Sequence, residues 1–299
     1  MEGTDYYIKI GQTIKELRLK KNITRKQLAD GICSISYISR IENGGRCPTS
    51  VILRQITNKL GISPEYLFRA IESPASLHVH ELLIKLFLNI ERNDLKNIYN
   101  LMIEEEKRLC AKSVHDIQIL KTFKCVSEMM LTKNYKAGID ESKKILDLTY
   151  IKGNSPTDIE FSIMFSYGVF LLLDNQKKEA YNHLIDIKKY IDNIKFLHTY
   201  AMLPRFYMHL ISVCLDLSLL EQSFSYLDFA IDYCKEYNTH AVLRELYFLK
   251  GELYYRLNKK KEFEIWYDKA LTLNELIKKS DDEYFNTFVE DRLKKLKTS

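Results

Sequence analysis

The feature that most limits how this chain can fold is a recurrence of turn residues along its last three quarters. Asn93, Asn134, Asn175, Ser218 and Asn258 each separate a long apolar-rich segment from an amphipathic one, at spacings of 41, 41, 43 and 40 residues. Between residues 79 and 297 there is no strand-like alternation, and the only prolines are Pro156 and Pro204, so long helices can run uninterrupted. A helical hairpin cannot bury its apolar face alone and stacks on its neighbours. The period therefore predicts five stacked hairpins in an all-α chain.

Small residues recur at fixed offsets from these turns. Ser127, Gly168 and Gly251 lie seven positions before a turn, Ala180 and Ser223 five after, and Ala230 and Ala270 twelve after. Their size lets helices approach closely. The pattern resembles the tetratricopeptide repeat, its unit of roughly 34 residues lengthened by extra helical turns, with HEAT-like repeats as the structural alternative. The resemblance implies a right-handed superhelix whose concave wall is lined by the first helix of each pair, and such walls bind extended peptides or helices. In that register the wall carries Lys121, Lys124 and Glu128, then Phe165, then Arg205, Met208 and Ser212, then Glu245, Phe248 and Tyr255. Aromatic and Met surfaces suit apolar side chains, and cations suit a terminal carboxylate, with Arg205 or the Lys121/Lys124 pair as its receiver. No segment of this chain is expected to fill the groove.

A different module precedes the repeats. Residues 1 to 75 carry twelve Lys/Arg and seven Asp/Glu, while the remainder carries 33 of each, so the whole net charge of +5 sits in the first quarter. A small basic module on a neutral body favours phosphate. Five short helices are predicted there. Ile10, Ile14 and Leu17 form the stripe of the first, from about Ile8 to Lys21. Thr24 and Gln27 make a capping box for the second, and Ser34 caps the third, Ile35 to Glu42, which stops at Asn43-Gly44-Gly45. Pro48-Thr49 opens the fourth and Ser63-Pro64 the fifth.

The second and third helices form a helix-turn-helix, whose second helix enters the major groove. Ile38 and Ile41 must face the core, which leaves Ser36, Tyr37, Ser39 and Arg40 for DNA. Ser34 offers its hydroxyl and nearby backbone N–H groups to a phosphate, and Arg25 and Arg46 complete the expected contact set.

Other chemistry is missing from the sequence. There is no P-loop, no GxGxxG after a strand and no HExxH, so no catalytic residue, cofactor or enzyme activity is expected. His78 and His80 read as a surface pair rather than a metal site. Six cysteines, Cys33, Cys47, Cys110, Cys125, Cys214 and Cys234, show no CxxC pair and fit reduced thiols; a redox role for Cys33 and Cys47 is the minor alternative. With neither a signal peptide nor a long apolar run, the expected location is the cytoplasm, with no membrane partner.

The stretch ITRKQLADGICSISYISRIENGGRCPTSVILRQITNKLGISPEYLF, from Ile23 to Phe68, resembles the Cro/XRE helix-turn-helix family. That family implies base contacts from Ser36 and Tyr37 and backbone contact from Arg25, which stands where many members carry glutamine. Over nearly the full length the chain resembles the PlcR-like peptide-responsive quorum-sensing regulators of Gram-positive bacteria. The resemblance is carried by SRIENG-x3-P, KNIYN at Lys96 to Asn100 and LRELYFLKGELYYRL at Leu243 to Leu257. It implies a homodimer that binds a pseudo-palindromic double-stranded operator, an activator controlled by a short signalling peptide in the repeat groove. Phe165 and His209 fall where the family's groove asparagines lie. The implied domains are 1–72 for DNA, 73–78 as linker and 79–299 for sensing and dimerisation. The alternative function is a repeat-based interaction adaptor or a peptide-independent regulator.

Overall fold

Helix α1 (Glu2–Lys20) turns Ile10 and Ile14 into a core shared with Leu28, Ile38, Ile41, Ile56 and Leu67. Each fully buried Leu or Ile contributes about 1.5–3 kcal/mol. The helix starts ahead of the expected Ile8, and Tyr6 carries its apolar face one turn further onto the same core. A Cβ at residue 11 would lie 1.9 Å from the Ile41 carbonyl oxygen, so α1 packs backbone to backbone on α3 (Ile35–Glu42) only because Gly11 has none.

Between them runs α2 (Arg25–Ala29), whose capping box is complete: Gln27 N–H donates to Thr24 Oγ1 and Thr24 N–H to Gln27 Oε1. Ser34 Oγ caps α3 by accepting from Tyr37 N–H at 3.2 Å. Thr49 caps α4 (Ser50–Leu60), and α5 (Pro64–Glu72) follows with proline at its first position.

The structure, a computed structural model, describes residues 2–72, 82–86, 88–90, 94–108, 114–194, 202–240, 242–277 and 284–298. Side chains are described for these other than 2–5, 69, 72, 107, 108 and 298. The expected linker 73–78, the His78/His80 pair, the turn residue Asn93 and Cys110 lie outside the described residues. The chain forms two compact units, Met1–Lys85 with Leu109–Lys112, and Leu86–Arg108 with Ser113–Ser299. Among the described residues there is no strand, and no helix is long and apolar enough to cross a membrane.

In the second unit, helical residues 82–86 and 88–90 are followed by α6 (Leu95–Arg108). Four hairpins come next: α7 (Val114–Thr132) with α8 (Tyr135–Leu146), α9 (Asp158–Leu173) with α10 (Lys177–Lys188), α11 (Met202–Asp216) with α12 (Leu220–Glu236), and α13 (Leu243–Arg256) with α14 (Lys260–Ile277). A last helix, α15 (Tyr284–Thr298), follows. The turns are made as expected, by single residues in the left-handed region: Asn175 at φ 65°, Ser218 at 59° and Asn258 at 60°. In the first of the four it is Lys133, at φ 57°, and Asn134 instead caps α8 by accepting from Ala137 N–H.

The small residues do what their spacing implies. Ser127, Ala180, Ser223 and Ala270 are fully buried, and a Cβ at Gly168 would stand 2.8 Å from the Leu184 side chain, so a larger residue there would displace Leu184 of α10. The first helices of successive hairpins, α7, α9, α11 and α13, pack side by side as one layer.

That layer does not end at α13. Phe285 and Val289 of α15 pack on Phe248 of α13, and Arg292 donates to Glu252 of α13 and, at 2.7 Å, to Asp216 of α11. Lys295 adds a 2.7 Å pair to Asp216, and Arg256 a further one to Glu252. The expectation that no part of the chain fills the wall is thereby corrected: α15 covers its C-terminal portion, pinned by a buried ion network.

Candidate functional site

On the first unit, α3 presents the surface expected to meet DNA. Ile38 and Ile41 are fully buried, Ser36 and Arg40 exposed, and Tyr37 and Ser39 half-buried. Ser34 Oγ, besides its capping bond, lies 2.9 Å from Ser36 Oγ, so the two hydroxyls form one polar corner at the helix start. Arg46 is exposed and its guanidinium sits 5.0 Å from the Tyr37 ring centre, which holds both side chains beside that corner.

Arg25, expected at DNA, has a structural task that spacing did not reveal. Its Nε donates to Glu42 Oε2 at 2.7 Å, while Arg18 grips the same carboxylate with Nε at 2.6 Å and Nη2 at 3.1 Å. The Glu42 side chain is wholly buried. Burial alone would raise its pKa, but the hydrogen bonds and charges of Arg18 and Arg25 prevail and hold it below the usual carboxylate value. Arg18 also donates to the Ile23 carbonyl, so one guanidinium ties α1, the start of α2 and the end of α3. The trace of this in the sequence is a single acidic residue at the end of α3.

In the second unit the eleven expected wall residues separate into groups. Phe165, Arg205, His209 and Glu245 come together: the rings of Phe165 and His209 lie 5.7 Å apart, and the Arg205 charge acts on both His209 and Glu245. Burial first, then Arg205, pulls the His209 pKa down to about 4, so the ring is neutral at pH 7. Arg205 donates to the Ile90 carbonyl at 2.9 Å. Glu245 is completely buried; Oε1 accepts from Arg244 Nε at 3.0 Å.

Others depart from expectation. Met208 is buried inside the helix layer, Phe248 is enclosed by Phe285, Phe288 and Tyr267, and the Ser212 carbonyl accepts from Arg292. The repeat register names a face of each helix but not the helix that covers it, here α15. Lys121 is exposed on α7, half-buried Glu128 lies on the same helix, and Lys124 is paired with Glu106 at 2.6 Å. Tyr255 stands apart near the α13–α14 turn, against Phe263.

No group of three His, Cys, Asp or Glu among the described residues could hold a metal ion. Burial pushes Cys125 up to about 11 and Cys214 and Cys234 up to about 12, and it raises Cys33 as well, away from the reactive thiolate.

Residues 14–67, from α1 into α5, match the family model described as helix-turn-helix. A search of curated proteins returns no match. Among solved structures the chain is similar to PlcR of Bacillus thuringiensis in complex with the peptide PapR7 and DNA, at 23% identity and a TM-score of 0.81 over 94% of this chain and 99% of that one. The apo form of the same PlcR follows at 22% identity and 0.61, over 96% and 98%. ComR from S. thermophilus, in complex with DNA and its signalling peptide ComS, matches at 16% identity and 0.57, over 95% and 97%. The fold is thus that of a helix-turn-helix head with a helical repeat body.

Proposed function

We propose that this chain is a DNA-binding transcriptional regulator, an activator controlled by a short signalling peptide bound in the repeat wall. The observation that carries the reading is the pairing of a complete helix-turn-helix, its polar α3 face exposed, with a full-length likeness to PlcR bound to peptide and DNA. Residues 1–72 read the operator and 79–299 sense the peptide and dimerise, with 73–78 between them. Ser36, Tyr37, Ser39 and Arg40 address bases; Ser34, Arg25 and Arg46 address phosphates. Lys121 and Arg205 supply positive charge for the peptide's carboxylate end, and Phe165 an apolar contact. The protein works in the cytoplasm.

The test is selection of DNA from a random-sequence pool by the full-length protein, followed by gel-shift titration. The selected sites are expected to be inverted repeats with half-sites about 34–36 Å apart. Ser36→Ala and Arg40→Ala should each weaken binding by about 1–3 kcal/mol with helicity unchanged. A pool that shows no enrichment, or a double variant that binds like wild type, sinks the assignment.

A further inference from the structure

Helix α3 carries one side chain that neither the core of the head nor its polar surface accounts for. Of its apolar residues, Ile38 and Ile41 are fully buried and Tyr37 is half-buried beside the Arg46 guanidinium, but Ile35, the first residue of the helix, is 48% exposed. An exposed apolar side chain is ordinary by itself, as Leu19 on α1 is. Ile35 differs in its neighbours. It stands between two exposed hydroxyls, Ser34, whose Oγ caps the helix, and Ser36, and Ser39 follows one turn later on the same side. Local helix stability does not call for isoleucine there, because the first turn favours acidic side chains and β-branched ones are weaker helix formers.

When such a helix enters the major groove, the side chains of its N-terminal turn meet the base edges. Ser34, Ser36 and Tyr37 bring hydrogen-bonding groups to that turn, and Ile35 brings none. This restricts what Ile35 can read. Against a base-edge donor or acceptor it would strip away water and return no hydrogen bond. Thymine alone adds a methyl group, at C5, to the pattern that the bases display in the major groove. Packed on that methyl, both apolar surfaces leave water together.

We infer that Ile35 is a specificity-determining residue of α3, its side chain packing on the C5-methyl of a thymine at one position of each half-site. This rests on the reading of the chain as a DNA-binding protein. It adds an apolar contact to those of Ser36, Tyr37, Ser39 and Arg40. Because it displaces no counterion, this part of the affinity is independent of salt.

The test uses the full-length protein and the inverted-repeat site that it selects from the random-sequence pool. Each thymine, on either strand, is replaced in turn by uracil, which lacks only the methyl, in both half-sites together, and affinity is read by gel-shift titration. One position is expected to lose about fourfold per half-site and about fifteenfold in all, as befits one buried methyl group counted twice. Ile35→Ala, checked for its fold by circular dichroism and thermal unfolding, should bind the thymine and uracil sites alike, with its salt slope that of wild type. Cytosine at that position should weaken wild-type binding, and 5-methylcytosine, which returns the methyl, should restore part of it for wild type and none for Ile35→Ala. Wild type indifferent to uracil at every position, or a uracil loss that persists in folded Ile35→Ala, overturns the inference alone and leaves the DNA reading standing. A pool that shows no enrichment overturns both.

Discussion

His209 sits against Phe165 and near Arg205 with its pKa pulled down to about 4, below the unfolded value of about 6.5. The unfolded chain therefore binds the proton first on acidification, and this group's effect is a loss of stability as pH falls from about 6.5 to 4, worth roughly 2 kcal/mol by pH 5. Urea titrations at pH 7 and pH 5 should show that loss in wild type and a much smaller one in His209→Gln; equal losses would refute the role given to His209. Glu42 acts in a separate window, because its depressed pKa gives stability that is present above about 4.3 and lost as pH falls through the lower folded value. At this scale the sequence was legible where chemistry is local. Ser34 and Thr24 declare themselves as caps because their partners are three residues away. Arg18 and Glu42 are separated by 24 positions and Arg205 and Ile90 by 115, distances that no periodicity encodes.

Among the elements, α15 has most to say about the wall. Its Arg292 side chain is buried between Glu252 and Asp216, and removing one member of such a network leaves buried charge behind, at a cost of about 3–5 kcal/mol. Arg292→Met should therefore speed hydrogen exchange in 284–298 and lower the urea midpoint of the second unit; unchanged exchange there would show that α15 is held by its phenylalanines alone. The turns make a sharper test of the repeat reading. Asn175 at φ 65° should lose about 1–2 kcal/mol on replacement by Ala and little on replacement by Gly, measured by thermal unfolding. The hairpins were readable because such turns favour Asn and Gly and recur at a fixed period. α15 escaped because a single helix has no following turn to count from. Phe248 was consequently assigned to an open surface when it lies under α15; Met208, assigned to the same surface, is buried inside the layer.

For the whole molecule, the proposed twofold reading of an inverted repeat requires two heads, so light scattering at micromolar concentration should give the mass of two chains. A single-chain mass together with an asymmetric footprint would exclude it. The segregation of charge adds a second test. Twelve cations lie in residues 1–75, but Glu42 holds Arg18 and Arg25 in one internal ion pair network. Cations that neutralise DNA phosphates displace condensed counterions, and each such contact contributes about −0.9 to the slope of log affinity against log salt. A guanidinium already balanced within the protein displaces correspondingly less. Substituting Arg46 should flatten the slope by about that amount, while substituting Arg25, whose charge is partly balanced by Glu42, should flatten it less and also weaken the fold of the head. Concentrated salt would then strip the protein from DNA without loosening the joint between α1, α2 and α3.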